Sequence, residues 1–174
     1  MNKQVIKFND YTNLVSKICR DITVGGWKPD YVVGITRGGL LPAVMISHWL
    51  DVPMKSLDVS LRDGGDLVSN CGMAEDAYGY NKEIGEQASP NILIVDDIND
   101  TGATFNWIME DWQSSCLPND ARWDHVWNHN VKFAVIVDNL ASKCKVTMDF
   151  VGMEVNKAEN DVWIEFPYEE WWTK

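Results

Sequence analysis

The fold is decided by ILIVDDINDTGATF, residues 92–105. Four aliphatic residues run into Asp96 and Asp97, and Asp100 follows. A turn of small residues, Thr101-Gly102-Ala103-Thr104, then leads into an apolar segment containing Trp107. A short aliphatic run of this kind marks a strand covered on both faces of a sheet. Two similar runs, YVVGI at 31–35 and FAVIV at 133–137, and MKSLDVS at 54–60 read as further strands. Helical patterns lie between them. Tyr11, Leu14, Val15, Ile18 and Ile22 share one face, and 40–50 is largely apolar. Asn9 or Asp10 is the expected cap of the first helix, and Gly25-Gly26 its end. Strands alternating with helices give an α/β fold, a mainly parallel central sheet flanked by helices.

The 174 residues fit a single domain, 1–174, with room for a substantial core. Lys and Arg total 15 against 26 Asp and Glu, a net charge of −11. That balance argues against a general nucleic-acid binder, which would show a basic face. The cysteines (Cys19, Cys71, Cys116, Cys144) have no CxxC spacing and read as free thiols of a reducing compartment. With no signal-peptide pattern at the polar amino terminus and no membrane-length apolar run, the expectation is a cytoplasmic protein without membrane partners. Two stretches fit no regular element: 62–90, rich in Gly, Asn and charge, and 114–130.

In an open parallel sheet, ligands bind beyond the carboxyl ends of the strands. Asp96 and Asp97 would stand at that edge. The turn after them opens a helix, whose first N–H groups and dipole attract phosphate. Gly102 permits close approach, and Thr101 and Thr104 add hydroxyls. The carboxylate end suits sugar hydroxyls and a hard cation such as Mg²⁺. The combination describes a sugar-phosphate site. Neither GxxxxGKS/T nor a GxGxxG after a strand is present, which removes the common nucleotide and dinucleotide alternatives.

ILIVDDINDTGATF resembles the phosphoribosyl pyrophosphate (PRPP) signature of type I phosphoribosyltransferases. VGITRGGLLPA, 33–43, is similar to that family's pyrophosphate loop, and VWIEFPYE, 162–169, to the purine-binding segment of its xanthine–guanine and hypoxanthine–guanine branch. The resemblance implies the family fold, with a small hood formed by the segment after the third strand and the C-terminal segment. The hood loop would span about 60–90, the insertion about 114–130 and the base-binding segment 160–174. It implies transfer of the phosphoribosyl group to a purine, with Mg²⁺ as cofactor and a homodimer or homotetramer as assembly. Asp96 and Asp97 would hold the ribose hydroxyls and the metal. Thr101, Gly102, Ala103 and Thr104 would take the 5′-phosphate, with Asp100 as general base toward purine N7. Arg37 and Gly38 would bind pyrophosphate, next to a cis Thr36–Arg37 bond, and Ser60 and Arg62 would reach it from the hood. Trp163 would stack on the base, worth about 1–3 kcal/mol, with Ile164 offering backbone groups and Glu169 assisting at base or metal.

Some positions depart from that pattern. The branch carries a lysine after the strand matching FAVIV, donating to the 6-oxo group; here Asn139 stands there, with Lys143 further along. Tyr168 replaces the usual Trp. His125 and His129 have the spacing of a helical metal pair, but read better as polar residues of a Trp-anchored flap or subunit contact. His48 reads as packed in its helix, and Trp171 and Trp172 as docked on the body or a partner. Two alternatives remain open: a phosphoribosyltransferase acting on another base, and a PRPP or nucleotide sensor without turnover.

Overall fold

The computed structural model describes residues 2–59, 71–80 and 89–173. Five parallel strands form the central sheet: β2 (Tyr31–Thr36), β3 (Met54–Asp58), β4 (Ile92–Asn99), β5 (Val131–Asn139) and β6 (Phe150–Val155), in the order β3-β2-β4-β5-β6. A parallel pair requires a crossover, and helices α1 (Phe8–Gly25), α2 (Leu40–Leu50), α3 (Cys71–Tyr78) and α4 (Ala103–Ser115) flank this sheet. Ile92 through Val95 are fully buried because β4 is central and covered on both faces. α1 buries Tyr11, Val15, Ile18, Cys19 and Ile22, the stripe its spacing dictates.

Strand order reverses at β2 and β4, so the crevice beyond their carboxyl ends is the switch point of the sheet. β2 pairs with β4 from Tyr31–Ile92 to Gly34–Val95, whereas β5 pairs with β4 as far as Asn99–Asp138. β4 therefore continues beyond its β2 pairing, and Asp96 and Asp97 lie within the strand rather than after it.

Elements β1 (Asn2–Val5) and α3 are not marked by the sequence pattern. β1, four exposed residues, pairs in parallel with β7 (Val162–Glu165), and Lys3 forms an ion pair with Glu165. α3 lies where a loop is expected: Met73, Ala74, Ala77 and Tyr78 join the core that contains Trp112 and Phe133. Residues 60–70 and 81–88 of that region, with Ser60 and Arg62, lie outside the described residues.

The 114–130 segment is anchored by tryptophan, as expected. Trp123 is buried, stacks on Trp127 at 5.5 Å, contacts Tyr78 at 5.6 Å, and donates through Nε1 to the Cys116 carbonyl at 2.9 Å. His125 and His129 are exposed, and no cluster of three metal-binding side chains occurs among the described residues. His48 is exposed rather than packed, being in the last turn of α2. Trp171 and Trp172 are 66% and 70% exposed, so they do not dock on the body. Cys19 and Cys144 are free thiols, and no helix among the described residues is long and apolar enough to cross a membrane.

Candidate active site

The β2–α2 loop comes first. The Thr36–Arg37 peptide is cis, as expected, and Thr36 Oγ1 donates to Asp58 Oδ1 at 2.9 Å. Arg37 is exposed at the crevice rim. Any side chain on Gly38 would run into the carboxylate of Asp97, so the Arg-Gly pair brings bare backbone against that acid.

The two acids of β4 differ in surroundings. Asp96 is buried, and its Oδ1 accepts the Asp97 N–H at 2.9 Å. Burial, followed by the charge of Asp97, pushes the Asp96 carboxyl well above the usual carboxylate range. Asp97 is partly exposed; its Oδ1 accepts the Ile98 N–H at 2.8 Å and its Oδ2 the Tyr168 hydroxyl at 2.8 Å. Each carboxylate oxygen has a second lone pair, so the pair retains oxygen-donor capacity for hydroxyls or a hard cation. Two carboxylates suit Mg²⁺, which commonly takes one or two from the protein and completes its shell with water and substrate phosphate.

The turn is held from above. Gly102 has φ 87°, and a side chain there would strike the Cys144 backbone. The Lys143 N–H donates to the Thr101 carbonyl at 3.0 Å, and Asn106 bonds Lys143 O at 3.1 Å and Lys145 N at 2.8 Å. α4 begins at Ala103, with Gly102 as its cap, so its first amide groups open at this turn.

Beyond the turn lies a cavity of about 550 Å³ lined by Asp100, Thr101, Asn139, Lys143, Lys157 and Trp163. Trp163 is 43% exposed, whereas its neighbour Ile164 is buried. Lys157 Nζ stands 2.9 Å from Asp100 Oδ1, with the lysine 16% exposed and the acid 38%. Sequence reasoning missed Lys157. It sits in the irregular NKAEND segment before β7, and only its position shortly before the WIEF motif could have drawn attention to it.

Asn139 and Glu169 both bond backbone groups of the site. The Asn139 Nδ2 donates to the Asp100 carbonyl at 2.8 Å, while its Oδ1 accepts from Lys157 N at 3.0 Å and Ala141 N at 3.1 Å. The amide thus joins the backbones that carry Asp100 and Lys157, and its second Nδ2 hydrogen is not engaged by these three bonds. Glu169 accepts the Phe166 N–H at 2.7 Å and closes its own turn. Lys143 lines the cavity as an exposed residue.

The phosphoribosyl transferase domain model matches residues 6–170. The chain belongs to this family. Within the phosphoribosyltransferases, it is 23% identical over 124 residues to xanthine phosphoribosyltransferase 1 of Saccharomyces cerevisiae, covering 63% of the chain and 59% of the yeast protein's length. The structure resembles a purine phosphoribosyltransferase from Pyrococcus horikoshii, with TM-score 0.67, 24% identity, and 98% and 96% of the two chains covered. It also resembles the xanthine-guanine-hypoxanthine phosphoribosyltransferase of Helicobacter pylori, with TM-score 0.64, 13% identity and 99% and 97% coverage. At these identities the structural likenesses carry the phosphoribosyltransferase fold. The parallel sheet with flanking helices is that fold, and the DDINDTGAT stretch lies at its switch point.

Proposed function

We propose that the chain transfers the 5-phosphoribosyl group of PRPP to a 6-oxopurine, giving a nucleoside 5′-monophosphate and pyrophosphate in purine salvage. The observation that carries this reading is the Asp100–Lys157 pair, 2.9 Å apart in the cavity beside Trp163. A 6-oxopurine reacting through N9 can carry its mobile proton on N7, beside the carbonyl O6. That edge offers one donor and one acceptor side by side. Asp100 accepts the first and Lys157 donates to the second. A 6-aminopurine would instead turn N–H groups toward an ammonium that cannot accept them.

In the reaction the N9–C1′ bond forms, the C1′–pyrophosphate bond breaks, and the N7 proton passes to Asp100. The oxocarbenium-like transition state calls for positioning and fixed charge rather than covalent help. Thr101, Gly102, Ala103 and Thr104 hold the 5′-phosphate, Arg37 and Gly38 the pyrophosphate, and Trp163 the face of the base. Asp96 and Asp97 hold the ribose hydroxyls and would hold Mg²⁺, which would supply neutralisation of charge on the diphosphate. The family model, the yeast xanthine enzyme and the purine enzymes of like fold support the substrate class. The free thiols are consistent with a cytoplasmic location, and the exposed indoles of Trp49, Trp171 and Trp172 with a homodimer or homotetramer.

The test is pyrophosphate release from PRPP and Mg²⁺, with guanine, hypoxanthine, xanthine, adenine, orotate and uracil supplied in turn. Release with one or more 6-oxopurines, at least tenfold above adenine, is expected. PRPP binding without release for any base would move the chain to the sensor reading.

A further inference from the structure

Tyr168 joins two parts of the site that come from distant stretches of chain. It follows β7 in the segment that carries Trp163, and its ring is held from two sides. It stacks on Phe166 with centroids 5.6 Å apart and planes 2° from parallel, and meets Tyr11 edge-on at 6.1 Å and 89°. A ring held this way fixes the direction of its hydroxyl. That hydroxyl donates to Asp97 Oδ2 at 2.8 Å and lies 3.5 Å from the Gly38 carbonyl oxygen. The other Asp97 oxygen already accepts the Ile98 N–H at 2.8 Å. One bond from β4 and one from the C-terminal segment therefore define the plane of the carboxylate. On its remaining side Asp97 lies against Gly38, where no side chain fits.

We infer that Tyr168 is a positioning residue for PRPP. Its hydroxyl holds the Asp97 carboxylate in the orientation that receives the ribose and diphosphate end of the substrate. The inference rests on the phosphoribosyl-transfer reading of the site. It assigns to the C-terminal segment a second role besides the base platform: ordering an acid on the sugar side. Without the hydroxyl, Asp97 keeps its Ile98 bond and its access to water, so the fold loses little. The carboxylate instead gains rotational freedom that PRPP binding must remove.

Tyr168→Phe removes the one O–H and keeps the ring contacts. Melting temperature, the dissociation constant for PRPP with Mg²⁺ in the absence of base, and steady-state constants for both substrates would be measured for both chains. Expected are a melting temperature within about 2 °C of wild type, PRPP affinity lowered about tenfold, KM for PRPP raised to match, and kcat and the KM for base within about threefold. Unchanged PRPP affinity in a variant of unchanged melting temperature would overturn the inference. So would a lowered melting temperature with both substrates weakened alike, the sign of a structural tie alone. If wild type binds PRPP but releases pyrophosphate with no base, the transfer reading fails while the comparison of PRPP affinities still decides the role of Tyr168. A wild-type chain that binds no PRPP overturns both.

Discussion

The proposed sugar-phosphate side and the proposed base side of the crevice are built in opposite ways. Asp96, Asp97 and the Thr101–Thr104 turn belong to one strand, one turn and the start of one helix, so their geometry follows from local chain direction. The base side gathers Asp100 after β4, Asn139 at the end of β5, Lys157 after β6 and Trp163 in β7. Nothing local brings these together. Three hydrogen bonds of a single amide, Asn139, fasten two of the loops concerned. Contiguity places the first side, with Lys143 and Tyr168 adding bonds from distant stretches of chain, whereas the second is assembled from long-range contacts throughout.

That contrast can be broken at Asp100, where the two sides meet. Asp100→Asn removes the proton acceptor and leaves the turn intact, so turnover should fall about 10²- to 10⁴-fold while PRPP affinity stays within about threefold. Pyrophosphate release and calorimetric titration with PRPP measure the two quantities; unchanged turnover would remove Asp100 as the base. On the contiguous side, Gly102→Ala forces a side chain into the Cys144 backbone at φ 87°. PRPP affinity should fall more than about tenfold, with stability lowered by more than about 1 kcal/mol in a denaturant titration.

The same contrast explains what the sequence discloses. A motif confined to 92–105 can be read because its chemistry and its spacing lie in one run, and the helix at Leu40–Leu50 stands where its apolar pattern puts it. β4 runs past its aliphatic stretch because β5 continues to pair with it through Asn99, a partner no local pattern announces. β1 has four exposed residues and owes its existence to β7 at the other end of the chain, so hydrophobic alternation could not mark it. α3 is short and set among polar residues, and its apolar side is explained only by its packing near Trp112 and Trp123. Asn139 is legible as a candidate for the proposed base side, but its backbone partners are not. Lys157 acquires meaning only when Asp100 is found beside it.

Asn139→Ala sharpens the comparison from the base side. It leaves three backbone groups of that side without their partner, which should cost about 2 kcal/mol or more and lower the melting temperature by about 4–8 °C. PRPP affinity should change less than the KM for the base. If stability is kept and only base affinity falls, the Asn139 amide contacts the base after all.

A smaller effect is expected at Asp96. Its carboxyl pKa is raised in the fold, so the folded chain binds more protons than the unfolded chain between the ordinary value, near 4, and the raised one. Stability is therefore lost as pH rises through that window. Asp96→Asn should remove this dependence and melt about 2–4 °C higher at neutral pH, a gain of roughly 1 kcal/mol, with weaker PRPP binding. Thermal scans from pH 4 to pH 8 would show the two curves converging at the acid end; a variant less stable than wild type at neutral pH would contradict the assignment.

The most direct test of the account is the ratio of pyrophosphate release with hypoxanthine to that with adenine, measured side by side for wild type and Lys157→Gln. If the Asp100–Lys157 pair reads the N7 and O6 edge, wild type strongly prefers hypoxanthine. The variant, whose amide can donate or accept, then loses about tenfold or more of that preference with its KM for PRPP unchanged. An unchanged ratio in a folded, active variant would contradict it.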